Sequence, residues 1–208
     1  MQWRDRVASG FGISEKRISE KGGAVPFPWT KEKGVYKSVY KTVYRSPLGE
    51  LTLASDGENL CGLWLEGQKY FAGTVKEEMK VCPELNIFLQ TVRWLDRYFA
   101  HRRPEIGELP LSPVGSVFRQ TVWTLLCEIP YGEVTTYGEI AKKTAAITGR
   151  RVSARAVGGA VGHNPISIII PCHRVVGSNG HLTGYAGGVE KKIWLLEHEG
   201  MDLTNSVR

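Results

Sequence analysis

The stretch Asn164-Pro165-Ile166-Ser167-Ile168-Ile169-Ile170-Pro171-Cys172-His173-Arg174-Val175-Val176 constrains this chain more than any other. Asn164-Pro165 reads as a helix stop. Ile168-Ile169-Ile170 is too apolar for a surface loop and reads as a buried strand that carries Cys172 to the floor of a pocket. Pro171 fixes φ immediately before the thiol and biases Ile170 toward an extended backbone. A thiol becomes a good nucleophile only as thiolate, and a neighbouring imidazole can accept its proton. Pro-Cys-His therefore points to nucleophilic chemistry. The plainer alternative is a small core cysteine after a hydrophobic strand, and the motif alone leaves both readings open.

The 208 residues suit one sizeable domain or two small ones. No apolar run approaches the ~20 residues of a membrane span. Met1 to Arg6 has no apolar core behind its charges, so no secretory signal is read and a cytoplasmic location is expected. The four cysteines, Cys61, Cys82, Cys127 and Cys172, form no Cys-x-x-Cys. Neither a disulfide framework nor a common zinc spacing is expected, and no cofactor or metal is called for. The net charge of +6 is uneven: residues 37–113 balance ten Lys/Arg against ten Asp/Glu, whereas residues 114–208 carry ten against seven. A basic segment around Cys172 suits a polyanion such as nucleic acid.

Along the chain, residues 1–35 read as an extension punctuated by Gly and Pro, with a short helix at 14–20. From Val35 the pattern becomes strand-like. Turn signals at Ser46-Pro47-Leu48-Gly49 and Asp56-Gly57 divide an antiparallel meander ending in Leu60 to Leu65. Ile87, Phe88, Val92, Trp94, Leu95, Tyr98 and Phe99 recur at helical spacing, and the Pro/Gly-rich stretch from 104 to 113 reads as a linker. The first half holds no acid pair, metal cluster or phosphate loop and reads as structural support.

Val117 to Leu126 forms an amphipathic helix. Thr136-Tyr137-Gly138-Glu139 is a capping box opening a second helix. Ser153 caps a third that runs to Val161 and is halted at Gly162. Two short helices across Gly149-Arg150-Arg151 make a helix-turn-helix. Ala154, Ala156, Gly158, Gly159 and Ala160 leave the second of them smooth enough to approach a duplex backbone, with Arg150, Arg151 and Arg155 beside them. Close helix–helix packing at the glycines is the alternative. Thr183 to Gly188 lacks the spacing of a nucleotide loop and suits the wall of a pocket for a flat base. In the last helix, Val189 to Glu199, the spacing predicts Ile193, Trp194 and Leu196 inward. Glu199 sits at the negative end, which is unfavourable by dipole arguments and implies a cationic partner. His173 is the candidate, and an ion pair to Arg174 is the alternative.

Ala154-Arg155-Ala156-Val157-Gly158-Gly159-Ala160, Asn164-Pro165, Ile170-Pro171-Cys172-His173-Arg174-Val175-Val176, Tyr185-Ala186-Gly187-Gly188 and Trp194-Leu195-Leu196-Glu197-His198-Glu199-Gly200 together resemble the O6-alkylguanine-DNA alkyltransferases. The likeness is dense over about 114–202 and recognisable over about 40–100. It implies an α+β chain, with a ribonuclease-H-like domain of antiparallel sheet and helix over 36–105. A winged-helix-like domain with the helix-turn-helix follows over 114–202. It also implies direct, stoichiometric and irreversible transfer of an alkyl group from O6-alkylguanine in double-stranded DNA to the protein's own cysteine, by a monomer. O4-methylthymine is a further candidate substrate.

By position, Cys172 resembles the acceptor, His173 the base acting through a water, Glu199 its orienter and Asn164 the hinge. Tyr137 resembles the residue that assists guanine departure, and Arg155 the finger that fills the vacated place in the duplex. Tyr185 and Ala186 resemble pocket wall, and Lys192 the family's active-site lysine. Ala156, Gly158, Gly159, Val161, Ser167 and Val175 complete the implied DNA- and substrate-binding set. Ser167, Ala186, Val161 and Gly162 depart from some relatives toward smaller or different side chains, which implies a less crowded pocket.

Elementary chemistry agrees with the resemblance. An alkyl carbon on guanine O6 is hidden in the base pair, so the base has to leave the stack. A thioether has no easy route back to a thiol, so one molecule acts once. Two rivals remain at this point. A DNA-binding regulator is disfavoured because the reading helix offers few base-reading side chains, and a Cys-His hydrolase because no nucleophile elbow is present.

Overall fold

The computed structural model describes residues 38–178, 180–182 and 184–203. The proposed extension at 1–35 and its helix lie outside these. Three strands make the expected meander: β1 (Val39–Ser46), β2 (Gly49–Ser55) and β3 (Leu60–Leu65), each antiparallel to the next. Gly49 closes the first turn at φ +95°, a left-handed backbone that a side chain resists. Asp56 Oδ1 closes the second by accepting from the amides of Glu58 and Asn59.

A fourth strand, β4 (Met79–Val81), adds parallel to the outer edge of β1, giving the order β3-β2-β1-β4. Three residues with an exposed Lys80 and Val81 carry too little alternation to be read as a strand. Helix α1 (Asn86–Phe99) covers one face of the sheet. Its buried residues, Ile87, Phe88, Thr91, Trp94, Leu95 and Tyr98, recur at i, i+1, i+4, i+7, i+8 and i+11, as one helical face must.

The stretch read as a linker is packed. Leu109 and Leu111 are buried, and the backbone runs along the free edge of β3. There Leu60 N donates to Pro110 O and Ser112 N donates to Leu60 O, both at 2.8 Å. Proline and glycine mark the irregular backbone here, but the leucines between them bury it.

The second half begins with α2 (Val117–Cys127), capped by Ser116. A two-residue strand β5 (Thr135–Thr136) leads into α3 (Tyr137–Thr148), and α4 (Ala154–Gly162) follows. The capping box is present as the sequence predicts: Thr136 accepts from Glu139 N, and Glu139 reaches back to Thr136 N. Gly149 ends α3 in the left-handed region, and Ser153 caps α4. Trp123 Nε1 donates to Ala160 O at 2.9 Å, which ties α2 to α4. A single turn of 3-10 helix (Cys172–Arg174) leads into β6 (Val175–Val176), parallel to β5, and α5 (Val189–His198) is the last helix among the described residues. Among the described residues no helix is long and apolar enough to cross a membrane.

Ile168 to Ile170 is buried, but it is not a strand. Only Ile166 pairs with the sheet, at Leu63, and the chain then turns with Ile168 at φ +68°. Burial alone cannot tell a strand from a turn whose polar groups are met internally. In α5 the fully inward residues are Lys192, Leu195 and Leu196, while Ile193 and Trp194 are half-buried.

Gly62 is required by close approach in β3, where a Cβ would stand 2.0 Å from the indole of Trp64, itself 1% exposed. Gly62→Ala should destabilise the protein by about 1–3 kcal/mol through overpacking. Urea unfolding should show a lower midpoint at unchanged slope.

Candidate functional site

The turn that carries the thiol is built by Asn164. This residue follows the last hydrogen bonds of α4, where His163 N and Asn164 N donate to Ala160 O and Val161 O. Its side-chain amide donates to Ile166 O at 3.3 Å, to Ile170 O at 2.8 Å and to Cys172 Sγ at 3.1 Å. Its Oδ1 accepts from Ile166 N at 3.0 Å. One side chain thus replaces the ladder partners that a strand would have supplied.

The first half braces the same turn from outside. Leu63 N donates to Pro165 O, and Ser167 N donates to Leu63 O. Ser167 Oγ donates to Gln68 Oε1, which also accepts from Leu65 N. The half expected to be mere support therefore touches the segment holding the thiol.

Cys172 is 3% exposed. Burial pushes its thiol pKa up, opposed by the Asn164 hydrogen bond and the Lys192 charge, so the resting group is the neutral thiol. Tyr185 lies with its hydroxyl buried beside Cys172 and Ser167, without a hydrogen bond of normal geometry among the described residues. Lys192 is fully buried, and its Nζ donates to Val175 O at 2.5 Å. Burial lowers its pKa to about 8, against the pull of Cys172.

His173 and Glu199 are both buried, with Nε2 and Oε1 2.8 Å apart. An ionised carboxylate only accepts, so Nε2 carries the proton and Nδ1 is left as a lone pair in the neutral ring. Nδ1 is buried without a partner among the described residues. Both partners weighed for Glu199 are present. Arg174 forks onto it through Nε at 2.8 Å and Nη2 at 2.9 Å, and Nη1 donates to Ile129 O. Tyr98 OH at 2.8 Å and Gly132 N at 3.2 Å complete the set. Burial works against ionisation of Glu199, but the His173 and Arg174 contacts overcome it and hold its pKa well below the usual carboxylate range. For His173, burial outweighs Glu199 and lowers the imidazole pKa.

The other predicted residues divide by place. On α4, Arg155, Ala156 and Gly159 are exposed and Gly158 is half-buried. Among the described residues, a Cβ on Gly159 would meet nothing within 4 Å, and one on Gly158 only the Tyr137 ring at 3.9 Å. Helix packing therefore does not require these glycines. Tyr137 opens α3, its hydroxyl 3.5 Å from Gly184 O. Ala186 O accepts from Lys69 N. Val161 and Val175 are core residues, so their side chains are turned away from solvent. Sequence reasoning missed Tyr98, Gln68 and Gly132. Only Gly132 left a signal, the Pro130-Tyr131-Gly132 turn, since Tyr98 and Gln68 are reached by folding rather than by motif.

Glu199→Gln should cost about 3–5 kcal/mol near neutral pH, because Arg174 stays buried without its counter-charge. A carboxylate with a depressed folded pKa contributes stability above its unfolded value of about 4.5 and loses it as the pH falls toward the folded one. The gap in melting temperature between the unmodified protein and Glu199→Gln should therefore narrow as pH falls from 6 to 3.

Comparison with known proteins bears on this site. Residues 39–113 match the family model described as the 6-O-methylguanine DNA methyltransferase ribonuclease-like domain, and residues 117–201 match the DNA binding domain of the same description. A methylated-DNA–protein-cysteine methyltransferase of Mycobacterium leprae is 43% identical over 162 residues, spanning 78% of this chain and 93% of that protein. One from Haemophilus influenzae is 42% identical over 154 residues, spanning 74% and 82%. The crystal structure of Mycobacterium tuberculosis OGT in complex with DNA superposes with a TM-score of 0.67 at 43% identity, covering 77% of this chain and 92% of that one.

Proposed function

The chain belongs to the 6-O-methylguanine DNA methyltransferase family, and on that premise we propose that it repairs O6-alkylated guanine by moving the alkyl group onto its own Cys172. Its activity is DNA repair by alkyl transfer to a protein cysteine, in a single turnover, and its macromolecular partner is DNA. The observation that carries the assignment to Cys172 is its setting. The thiol is buried and held by Asn164, and next in the chain stands a histidine with one nitrogen fixed by Glu199 and the other unpartnered among the described residues.

The step balances without a cofactor. The Cys172 proton passes through a water to His173 Nδ1, and the thiolate attacks the alkyl carbon. The carbon–oxygen bond breaks as the sulfur–carbon bond forms, and guanine leaves with the electron pair. Tyr137, whose hydroxyl lies 3.5 Å from Gly184 O, gives a proton to the departing base and regains one from solvent, while His173 returns its own to solvent. Glu199 stays ionised and stabilises the imidazolium. Lys192 keeps positive charge near the sulfur, favouring the thiolate at the moment of transfer.

The lesion reaches Cys172 by leaving the stack, and α4 supplies the means. Its outer face carries Arg155 between Ala154 and Ala156, with Gly159 one turn further on. Small residues allow close approach to the backbone, and a single long cation fills the gap that an extruded base leaves. Such a face holds few groups able to read base edges, which disfavours a sequence-specific regulator.

Incubation with a duplex holding one O6-methylguanine should add one methyl group per protein molecule by intact mass, and Cys172→Ala should abolish the gain. Turnover beyond one equivalent, or no gain, would refute the assignment. Arg155→Ala should slow repair in duplex DNA at least tenfold while reaction with free O6-benzylguanine stays within about twofold, since only the duplex demands an inserted side chain. Equal losses on both substrates would remove Arg155 from base extrusion.

A further inference from the structure

Tyr98 lies 101 positions before Glu199, in the half of the chain that carries the sheet, yet its hydroxyl donates to Glu199 Oε1 at 2.8 Å and both side chains are buried. Oε1 is the same oxygen that faces His173 Nε2. The phenol has no freedom to leave. Its ring is stacked on Trp94 at 5.6 Å, and Phe99 and Tyr131 meet it edge-on at 5.3 and 6.0 Å. It also stays a donor, because burial first, and the Glu199 charge second, hold its pKa well above that of a free tyrosine.

We propose that Tyr98 is a positioning residue of the alkyl transfer: by holding Glu199 Oε1, its hydroxyl limits how strongly the carboxylate draws a proton onto His173. The inference rests on the reading of His173 as the base. The physical argument is competition at one oxygen. A donor on a carboxylate disperses its charge, and a carboxylate stripped of that donor is a stronger partner for imidazolium. The remaining charges around the pair are unaltered by changes at Tyr98. Arg174 and Lys192 face His173, and Arg174 also lies on Glu199. Tyr131, with Arg103 over its ring, flanks the cluster and donates to His198 O instead of to the carboxylate.

Tyr98→Phe keeps the ring and deletes the donor. His173 titration, followed by NMR of the imidazole in the DNA-free protein, should move up by about one pH unit. A base acts only when neutral, so the acid limb of the single-turnover rate against pH should move up with it. Repair on the O6-methylguanine duplex should then be about tenfold slower below the limb and within about twofold above it. Tyr131→Phe, which leaves the carboxylate untouched, should move neither. Fluorotyrosine at position 98, a stronger donor, should move both downward, and it tests the idea should Tyr98→Phe fail to fold. An unmoved His173 titration overturns the role of Tyr98 and leaves the base intact. So does an equal rate loss at every pH. A titration that moves while the rate limb stays in place overturns the base reading itself, and with it any part for Tyr98 in the reaction.

Discussion

Glu199 is a carboxylate that burial should neutralise, and five hydrogen bonds from three other parts of the chain keep it charged. Tyr98 comes from α1, Gly132 from the loop after α2, and His173 and Arg174 from the turn beside the thiol. Glu199 stands at the C-cap position of α5, where the helix dipole adds to the cost of its charge. Gly132 fits because its φ of +76° suits glycine and because a Cβ there would stand 2.8 Å from Glu199 O. Buried ion pairs seldom repay their desolvation in stability unless every lone pair is met. Here both carboxylate oxygens are met, and the arrangement holds the imidazole in one tautomer while joining the sheet half to the helical half.

Much of this was legible in the chain, for physical reasons that can be named. The capping box at Thr136, the smooth face of α4 and the misplaced acid at Glu199 are local conflicts or local solutions, and a sequence displays those directly. The turns of the meander were legible for the same reason. What the chain hid was non-local. β4 pairs in parallel at an edge over three residues, and Leu109 and Leu111 bury a stretch that proline and glycine mark as a spacer. Tyr98 sits in a helical stripe where an aromatic ring predicts packing, and nothing in the stripe says where its hydroxyl goes.

The thiol segment itself shows the limit most sharply. Ile168, Ile169 and Ile170 announce burial, but a buried strand and a buried turn differ only in who satisfies the backbone. That partner is the side chain of Asn164, which lies before the apolar run and reads from sequence as a helix stop. The motif was therefore right about depth and wrong about path. A turn suits the chemistry better than a strand. It sets Cys172 and His173 in one short bend, with Asn164 on the sulfur and the imidazole anchored by Glu199 from the end of α5.

On the proposed roles, Asn164 also ties recognition to reaction. Its backbone closes α4, the helix that presents Arg155, while its amide reaches Cys172 Sγ at 3.1 Å. Packing at such a place responds in jumps rather than gradually, because interiors have little slack. On the proposed assignment, a carbon added to the sulfur has to occupy the space beside that amide. The atom that completes the proposed chemistry therefore presses on the link between the turn holding Cys172 and α4. A protein that acts once has no need to protect that link after transfer, and Asn164 lies directly against the sulfur proposed to change.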